Sequence, residues 1–209
     1  SGAQRGALRG HGHPIYAVAY SPDGKRIIAS GKDRSIIIWD TVSGKPLFTL
    51  DGHNSDVNGL ALSHDSSILA SVGSDRRVML WDMGKGELLA TLSGHRDPVL
   101  SVAFSPDGRW LATGDAGHSI RVWNMHDGTL ARTISDVPSA ILSLGYSPDG
   151  QWLAVGAADA RVRIFGSTSG LLAQELAGHQ DYVQSVTFDR NGTLASAGRD
   201  QSIILWQPN

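Results

Sequence analysis

Short stretches of alternating side-chain character recur along the whole chain. Residues 15–20 (IYAVAY) and 99–104 (VLSVAF) are two examples, and a period of two residues is that of a β-strand. Tight-turn residues separate the stretches, as in Ser21-Pro22-Asp23-Gly24, where Pro presets φ and Gly permits a positive φ. The pattern therefore predicts many short antiparallel strands joined by tight turns, with no long helices.

The pattern repeats every 42 residues. His11, His53 and His95 each follow a glycine and lie 42 residues apart, and His179 lies 84 residues further on, which is two periods. An aromatic series keeps the same step three times and then shortens to 41: Trp39, Trp81, Trp123, Phe165 and Trp206. A fixed period of this length is typical of repeat proteins.

Each repeat contains four predicted strands and their turns. We place the repeats at about 9–50, 51–92, 93–134, 135–176 and 177–209, within a single domain covering 1–209. Residues 3–8 are left over at the beginning and are predicted to form a closing strand.

The dipeptides at the repeat boundaries carry a family resemblance. Gly52-His53 followed by Trp81-Asp82 resembles the Gly-His and Trp-Asp signature of the WD-repeat (WD40) β-propeller family. The resemblance covers the chain from about Ala7 to Trp206, although later copies replace the Asp, as in Trp123-Asn124. It implies an all-β propeller of five WD-type blades, each a four-stranded antiparallel sheet.

The family resemblance also implies a buried polar network in each blade. In the family, a Trp N–H donates to a Ser or Thr hydroxyl, the hydroxyl donates to the His, and the His donates to an Asp. Such a chain satisfies every buried polar group and stiffens the fold. Two repeats contain the full set, and we expect them to be the most rigid: His53, Ser71, Asp75 and Trp81 in the second, and His179, Ser196, Asp200 and Trp206 in the fifth.

The other three repeats depart from this set. The first has Ala29 at the hydroxyl position, and the third has Gly117 at the Asp position with Asp115 two residues earlier. The fourth keeps only Asp159, so its blade is predicted to be held by apolar packing alone. The residues that replace the other members there are Val137, Val155 and Phe165.

The resemblance further implies where partners bind, namely on the narrow face of the propeller. The relevant positions lie three and five residues after the His and one before the turn Asp. They are Pro14, Tyr16 and Lys32; Asp56, Asn58 and Ser74; Pro98, Leu100 and Ala116; Ala140, Leu142 and Ala158; and Tyr182, Gln184 and Arg199.

The first and fifth repeats supply the aromatic and basic members of this face. We predict a hot spot for proteins or peptides where these two repeats would meet, at Tyr16, Tyr182, Lys32 and Arg199, because aromatics and Arg dominate interface energetics. The alternative is that all of these are ordinary exposed loop residues.

Composition narrows the function classes. Eighteen Lys and Arg against 20 Asp and Glu give a formal charge of −2 with no basic cluster, which argues against nucleic acid as the main partner. The chain has no Cys, so disulfides and thiolate chemistry are excluded. No apolar run approaches the roughly 18 to 20 residues of a membrane helix, so we predict no membrane partner and a cytoplasmic location.

Catalysis and metal binding are the competing interpretations of the polar residues. Ser71, His53 and Asp75 are the residue types of a hydrolase triad, but the set recurs in the fifth repeat with a Trp attached, as a structural network would. His11 and His13 have no further ligands at recognisable spacing. We therefore predict no metal, no cofactor and no enzymatic activity; the function is a non-catalytic protein-interaction scaffold, and a hydrolytic enzyme is the alternative.

Five repeats are fewer than the seven that WD-repeat rings most often have. We predict that residues 3–8 pair with the last three strands and close a five-bladed ring, which would protect the exposed strand edges. The alternative is a truncated or engineered fragment that closes by oligomerisation and has no independent cellular role.

Overall fold

A computed structural model describes residues 2, 6–135 and 137–207, and within them the chain forms five antiparallel sheets. The predicted all-β architecture of five blades is confirmed. Within each sheet the strands are hydrogen-bonded in sequence order, so each repeat folds as a simple meander.

The first two blades contain eight strands. Blade one consists of β1 (Ile15–Tyr20), β2 (Arg26–Gly31), β3 (Ile36–Asp40) and β4 (Pro46–Leu50). Blade two consists of β5 (Val57–Leu62), β6 (Ile68–Gly73), β7 (Val78–Asp82) and β8 (Glu87–Leu92).

The other three blades continue the same order. Blade three consists of β9 (Val99–Phe104), β10 (Trp110–Asp115), β11 (Ile120–Asn124) and β12 (Leu130–Ile134). Blade four consists of β13 (Ile141–Tyr146), β14 (Trp152–Ala157), β15 (Arg161–Gly166) and β16 (Leu172–Ala177). Blade five consists of β17 (Val183–Phe188), β18 (Leu194–Gly198) and β19 (Ile203–Trp206).

The turns between the first and second strands follow the sequence chemistry. In blade one the Ser21 hydroxyl donates to Asp23 at 2.5 Å, and the Arg26 N–H donates to the Ser21 oxygen at 2.9 Å. Gly24 has the positive φ of +69° that completes this turn. In blade two Ser66 takes the same conformation at φ 62°, and the Ser63 hydroxyl with the Ser67 donors lowers the pKa of Asp65 to about 2.

The innermost strands pack side by side from blade to blade. The order is β1, β5, β9, β13 and β17, and each of these strands packs against the next. The blades therefore stand around a common axis. Strands β1 and β17 do not pack against each other in this way.

Apolar side chains fill the spaces between blades. Between blades one and two, Ile28 and Ile38 meet Leu69 and Trp81, all at most 3% exposed. Equivalent clusters lie between blades two and three, three and four, and four and five. Four of the five clusters among the described residues thus join two blades, and the fifth, of Ala29, Ile37 and Trp39, lies within blade one. Each blade therefore depends largely on its neighbours.

The predicted closing strand is not seen in the described residues. Blade five has three strands there, residues 6–8 form no strand, and residues 3–5 lie outside the described part of the chain. Leu8 nevertheless lies against blade one, because its Cδ2 atom is 3.5 Å from the position that a Cβ atom on Gly44 would take. Leu92 of blade two lies at the equivalent distance, 3.6 Å, from the same position on Gly128 of blade three. Closure of the ring stays a prediction.

Blade four contains a buried ion-pair network in addition to its apolar packing. Phe165, Val155 and Val137 are buried together, as expected. Arg163 is only 3% exposed and donates to Asp159 at 2.7 Å. Its Nε also lies 2.9 Å from Glu175. The prediction that apolar packing alone holds this blade is therefore wrong, because Asp159 pairs with an arginine instead of a histidine.

Replacing Asp159→Ala tests the weight of this network. The substitution leaves the buried Arg163 guanidinium with a single carboxylate partner. Because the Asp159 side chain is 24% exposed, we expect the free energy of unfolding to fall by about 1–3 kcal/mol, less than for a fully buried pair. Urea unfolding measures it. The matched variant Arg163→Met gives blade four the residue type that blade two has at the equivalent position, Met79. It should lower the free energy of unfolding by less than about 1 kcal/mol. A larger loss for Arg163→Met than for Asp159→Ala would contradict this account.

Candidate functional site

The Gly-His ends of blades one, two, three and five carry hydrogen-bonded networks of side chains. In blade two, the Trp81 indole N–H donates to the Ser71 oxygen at 2.8 Å, and the Ser71 hydroxyl lies 2.8 Å from His53 Nε2. His53 Nδ1 lies 3.0 Å from both oxygens of Asp75. Every buried donor in this blade-two network has an acceptor, which is the condition for a stable polar network in a core.

Blade five repeats this geometry. Trp206 donates to Ser196 at 2.8 Å, Ser196 lies 2.7 Å from His179 Nε2, and His179 Nδ1 lies 2.9 Å from Asp200. The backbone N–H of Gln180 contributes most to lowering the pKa of Asp200. Burial opposes this shift, and hydrogen bonds from Ser202 and His179 lower the pKa further. The carboxylate thus stays charged where it anchors the turn.

Blade three also has a complete network, which the sequence position of its Asp concealed. His95 Nδ1 lies 2.6 Å from Asp115, His95 Nε2 lies 2.7 Å from Thr113, and Trp123 donates to Thr113 at 2.9 Å. Asp115 therefore replaces the missing Asp at Gly117 from two residues earlier. The nearby aspartate in the sequence was the only signal for it.

Blade one has a shorter network. His11 Nδ1 lies 2.8 Å from Asp33, while its Nε2 lies 3.2 Å from the carbonyl oxygen of Ala29. A backbone carbonyl thus occupies the place of the missing hydroxyl. Ser30 is fully buried, and its hydroxyl donates across to the Val57 carbonyl of blade two at 3.4 Å.

These networks have the atoms of a hydrolase triad but not its access. The Ser71 side chain is 0% exposed, and its oxygen already accepts the Trp81 N–H. A nucleophilic hydroxyl must reach a substrate carbonyl beside an oxyanion hole, and here the indole covers that approach. The arrangement is suited to bracing strands.

Burial sets the charge state of the blade-two histidine. Burial disfavours the imidazolium and lowers the pKa of His53, although the Asp75 carboxylate opposes the shift. His53 therefore stays neutral in the folded protein under conditions in which an exposed histidine begins to bind a proton.

The described residues contain no group of three or more His, Asp or Glu that could hold a metal ion. His11 is engaged with Asp33, and His13 is exposed.

A one-residue β-bulge positions one side chain of each blade at this end. In blade one, Ile15 pairs with Gly31 and Ala17 with Ser30, so Tyr16 is the extra residue. A bulge re-aims the side chain of its extra residue. The extra residues of the five innermost strands are Tyr16, Asn58, Leu100, Leu142 and Gln184, which are all positions of the predicted partner-binding face.

A backbone hydrogen bond holds the other two predicted positions of each blade together. In blade five the Arg199 N–H donates to the Tyr182 carbonyl at 2.9 Å. The same bond recurs in the other four blades: Lys32 to Pro14, Ser74 to Asp56, Ala116 to Pro98, and Ala158 to Ala140. Each blade thus presents a fixed triplet of side chains, one from the bulge and two from this bond.

The triplets of blades one and five are exposed, whereas those of blades two to four are half-buried. The Arg199 guanidinium lies over the Tyr182 ring, 5.4 Å from its centroid, which is a cation–π contact. Partial desolvation, together with the Asp56 carboxylate, raises the pKa of Tyr16. Asn58 bridges blades, since its amide donates to Ser74 at 3.1 Å and to the Val99 carbonyl at 2.8 Å.

Blades three and four contribute an apolar centre to the face. Because β9 and β13 pack side by side, the triplets of these blades are neighbours: Pro98, Leu100, Ala116, Ala140, Leu142 and Ala158. Polar and aromatic triplets flank them on blades two and five.

The structure does not assemble the predicted hot spot into one patch. Tyr182 and Arg199 touch each other in blade five, whereas Tyr16 and Lys32 lie on blade one. Because β1 and β17 do not pack together, these two pairs stand at opposite ends of the row of blades.

Five radial sheets, three of them with a Trp–Ser/Thr–His–Asp network at one end, define a propeller-type repeat protein of the WD class. The family model described as WD domain, G-beta repeat matches five successive segments, residues 2–40, 44–82, 86–124, 128–166 and 170–207. The chain belongs to the WD-repeat family.

Curated relatives match over about one repeat. The chain is 48% identical over 44 residues to small ribosomal subunit protein RACK1z of Oryza sativa subsp. japonica, which is 21% of this chain and 13% of the relative. It is 45% identical over 47 residues to RACK1 of Medicago sativa (22% and 14%). It is 49% identical over 37 residues to vegetative incompatibility protein HET-E-1 of Podospora anserina (18% and 3%). The matches thus span less than a sixth of each relative.

No helix in the described part of the chain is long and apolar enough to cross a membrane.

Asp115→Ala tests the displaced network of blade three. The substitution removes the acceptor of His95 and of the Ser119 N–H, so we expect the free energy of unfolding to fall by about 1–3 kcal/mol. Asp97→Ala is the matched control, because Asp97 is exposed, and should stay within about 0.5 kcal/mol of the wild type. Equal stabilities of the two variants in urea would exclude a structural role for Asp115.

The lowered pKa of His53 predicts a loss of stability in mild acid. The unfolded chain binds a proton at this histidine near pH 6.5, whereas folded His53 binds it only at lower pH. The free energy of unfolding should therefore decrease as the pH falls below about 6.5. His53→Gln removes this titration, so its urea midpoint should change less between pH 7.5 and 5.5. Parallel pH profiles for the wild type and His53→Gln would rule out the effect.

Proposed function

We propose that this chain is a non-catalytic protein-interaction scaffold that binds protein or peptide partners on the face formed by the five triplets. The observation that carries the proposal is the recurrent bulge, because it projects one side chain per blade from a fixed backbone. Membership of the WD-repeat family supports it, as do the short matches to RACK1 proteins.

The chemistry of the face indicates what kind of segment it would take. Leu100 and Leu142 offer an apolar centre, while Tyr182 with Arg199 and Lys32 offer aromatic and basic contacts towards the ends. An extended segment with apolar residues in the middle and an acidic residue at one end would complement these contacts. Tyr and Arg are the residue types that most often dominate binding energy.

The buried networks support a structural role over catalysis. The hydroxyls of Ser71, Thr113 and Ser196 are at most 1% exposed and each accepts an indole N–H.

A cytoplasmic location and the organisation as one domain over residues 1–209 are further parts of the proposal that follow from the sequence.

Selection of peptides from a random display library on the wild-type chain provides a defined probe. We expect Tyr182→Ala and Arg199→Ala to weaken the selected peptides at least tenfold, since truncating a hot-spot residue costs more than about 1.4 kcal/mol. Titration calorimetry measures the loss, and unchanged thermal unfolding shows that the variants fold.

Arg109→Ala is the matched control for these variants. Arg109 lies in the turn between β9 and β10, at the opposite end of the blades, and its side chain is 80% exposed. Peptide binding should be unchanged in this variant. Peptides that bind all variants equally, or that Arg109→Ala alone weakens, would contradict the proposed face.

A further inference from the structure

Every boundary between blades joins two different sheet faces. The forward face of a blade points to the next blade, and its core positions in blade one are Ile28, Ile36 and Ile38. The rear face points to the preceding blade, and in blade two it includes Leu60, Leu62 and Trp81. Forward and rear faces alternate along the whole row of blades, so each interior blade uses both.

The forward faces of blades one to four are completely covered. Their twelve core positions are at most 6% exposed: Ile28, Ile36, Ile38, Ala70, Val78, Leu80, Ala112, Ile120, Val122, Ala154, Val162 and Ile164. All twelve are aliphatic, and eleven of them, all except Val122, belong to the clusters at the boundary with the following blade.

The forward face of blade five has the same residue types and is open. The cross-strand pairs Ala195–Leu205 and Ala197–Ile203 give it aliphatic side chains in the same register as the inner boundaries. Ile203 is 76% exposed and Leu205 is 71% exposed. Aliphatic side chains on a regular strand rarely remain exposed together unless another surface covers them.

The rear face of blade one is open at its innermost strand, β1, although Ala29 and Trp39 on the same face are at most 4% exposed. Val18 is 69% exposed and Tyr20 is 65% exposed. The equivalent residues of the later blades are all apolar or aromatic and pack into the boundary clusters: Leu60, Leu62, Val102, Phe104, Leu144, Tyr146, Val186 and Phe188. Beneath Val18 and Tyr20 lie Ile27, Ala29 and Trp39, which cluster within blade one.

We propose that the forward face of blade five binds the rear face of blade one in a second copy of this chain. The four inner boundaries support this occupant, because each of them already joins an aliphatic forward face to a rear face that carries an aromatic residue on its third strand, as Trp39 does in blade one. Within one chain β1 and β17 do not pack against each other as neighbouring innermost strands do, and Val18, Tyr20, Ile203 and Leu205 are exposed. The inference is independent of the proposed partner-binding face.

The two faces differ, so this contact is head-to-tail. Each association leaves one forward face and one rear face uncovered, and the assembly grows until it closes into a ring or continues as a filament. The mass of the wild-type chain should therefore rise with concentration above the 22.2 kDa of a single copy.

Two end-face variants test the contact by light scattering. Leu205→Glu blocks the forward face and Val18→Glu blocks the rear face, and both positions are exposed in the single chain, so folding should be retained. Each variant alone should remain at 22.2 kDa. An equimolar mixture contains one intact forward face and one intact rear face on different chains, so it should give a species of twice the single-chain mass and nothing larger.

Leu171→Glu is the matched control, because Leu171 is 70% exposed in the turn between β15 and β16. This variant should associate as the wild type does. A wild-type mass of 22.2 kDa at every concentration would overturn the proposal in favour of closure within one chain, and so would a mixture of the two end-face variants that stays at that mass. Loss of association in Leu171→Glu would also overturn it, because the contact would then lie elsewhere.

Discussion

The packing of one blade against the next is the interaction on which the rest of this structure depends. A sheet of four short strands is a single layer, and apolar side chains on both of its faces must be covered by another layer. Ile28 and Ile38 on one side of a boundary and Leu69 and Trp81 on the other do this between blades one and two. Repetition with a fixed period follows from this constraint, because every blade must match both neighbours.

The polar networks solve a second problem, which is to fix the ends of the strands without using the apolar faces. In blades two, three and five, one His joins the third strand, through a hydroxyl and a Trp, to an Asp at or just after the end of the second strand. The bulged residue lies beside this braced region but takes no part in the His–Asp chain. Structural and recognition positions are therefore separate, although they lie only a few residues apart in sequence.

Much of the fold could be predicted from the sequence, because spacing and turn chemistry are local. The step of 42 residues indicated five blades, and the Ser-Pro-Asp-Gly turns indicated where the first strands end. The His-Asp pairing in blade three was missed, since Asp115 reaches His95 from a different register position and only the folded strand shows which carboxylate is closer. Arg163 was also missed, although it stands at the same repeat position as Ile37, Met79, Arg121 and Ile204 and lies four residues after a lone Asp159.

The bulges and the open ends could not be predicted for a different reason. The segment Ile15–Tyr20 reads as an uninterrupted strand, because a bulge depends on which residue of the neighbouring strand pairs with which. Whether Leu205 is covered depends on the total rotation from blade one to blade five. That rotation is the sum of the angles at four boundaries, so the sequence of a single repeat does not determine it. Local patterns determine each blade, and the closure of the whole depends on small differences between them.

The sameness of the inner boundaries has an evolutionary consequence. Since every forward face is aliphatic and every rear face carries an aromatic residue on its third strand, a gene segment encoding one repeat could be duplicated or lost at a boundary with little mismatch. The number of blades would then vary more easily than the architecture of a blade. The triplets of side chains, each contained within one repeat, would be copied and recombined together with it.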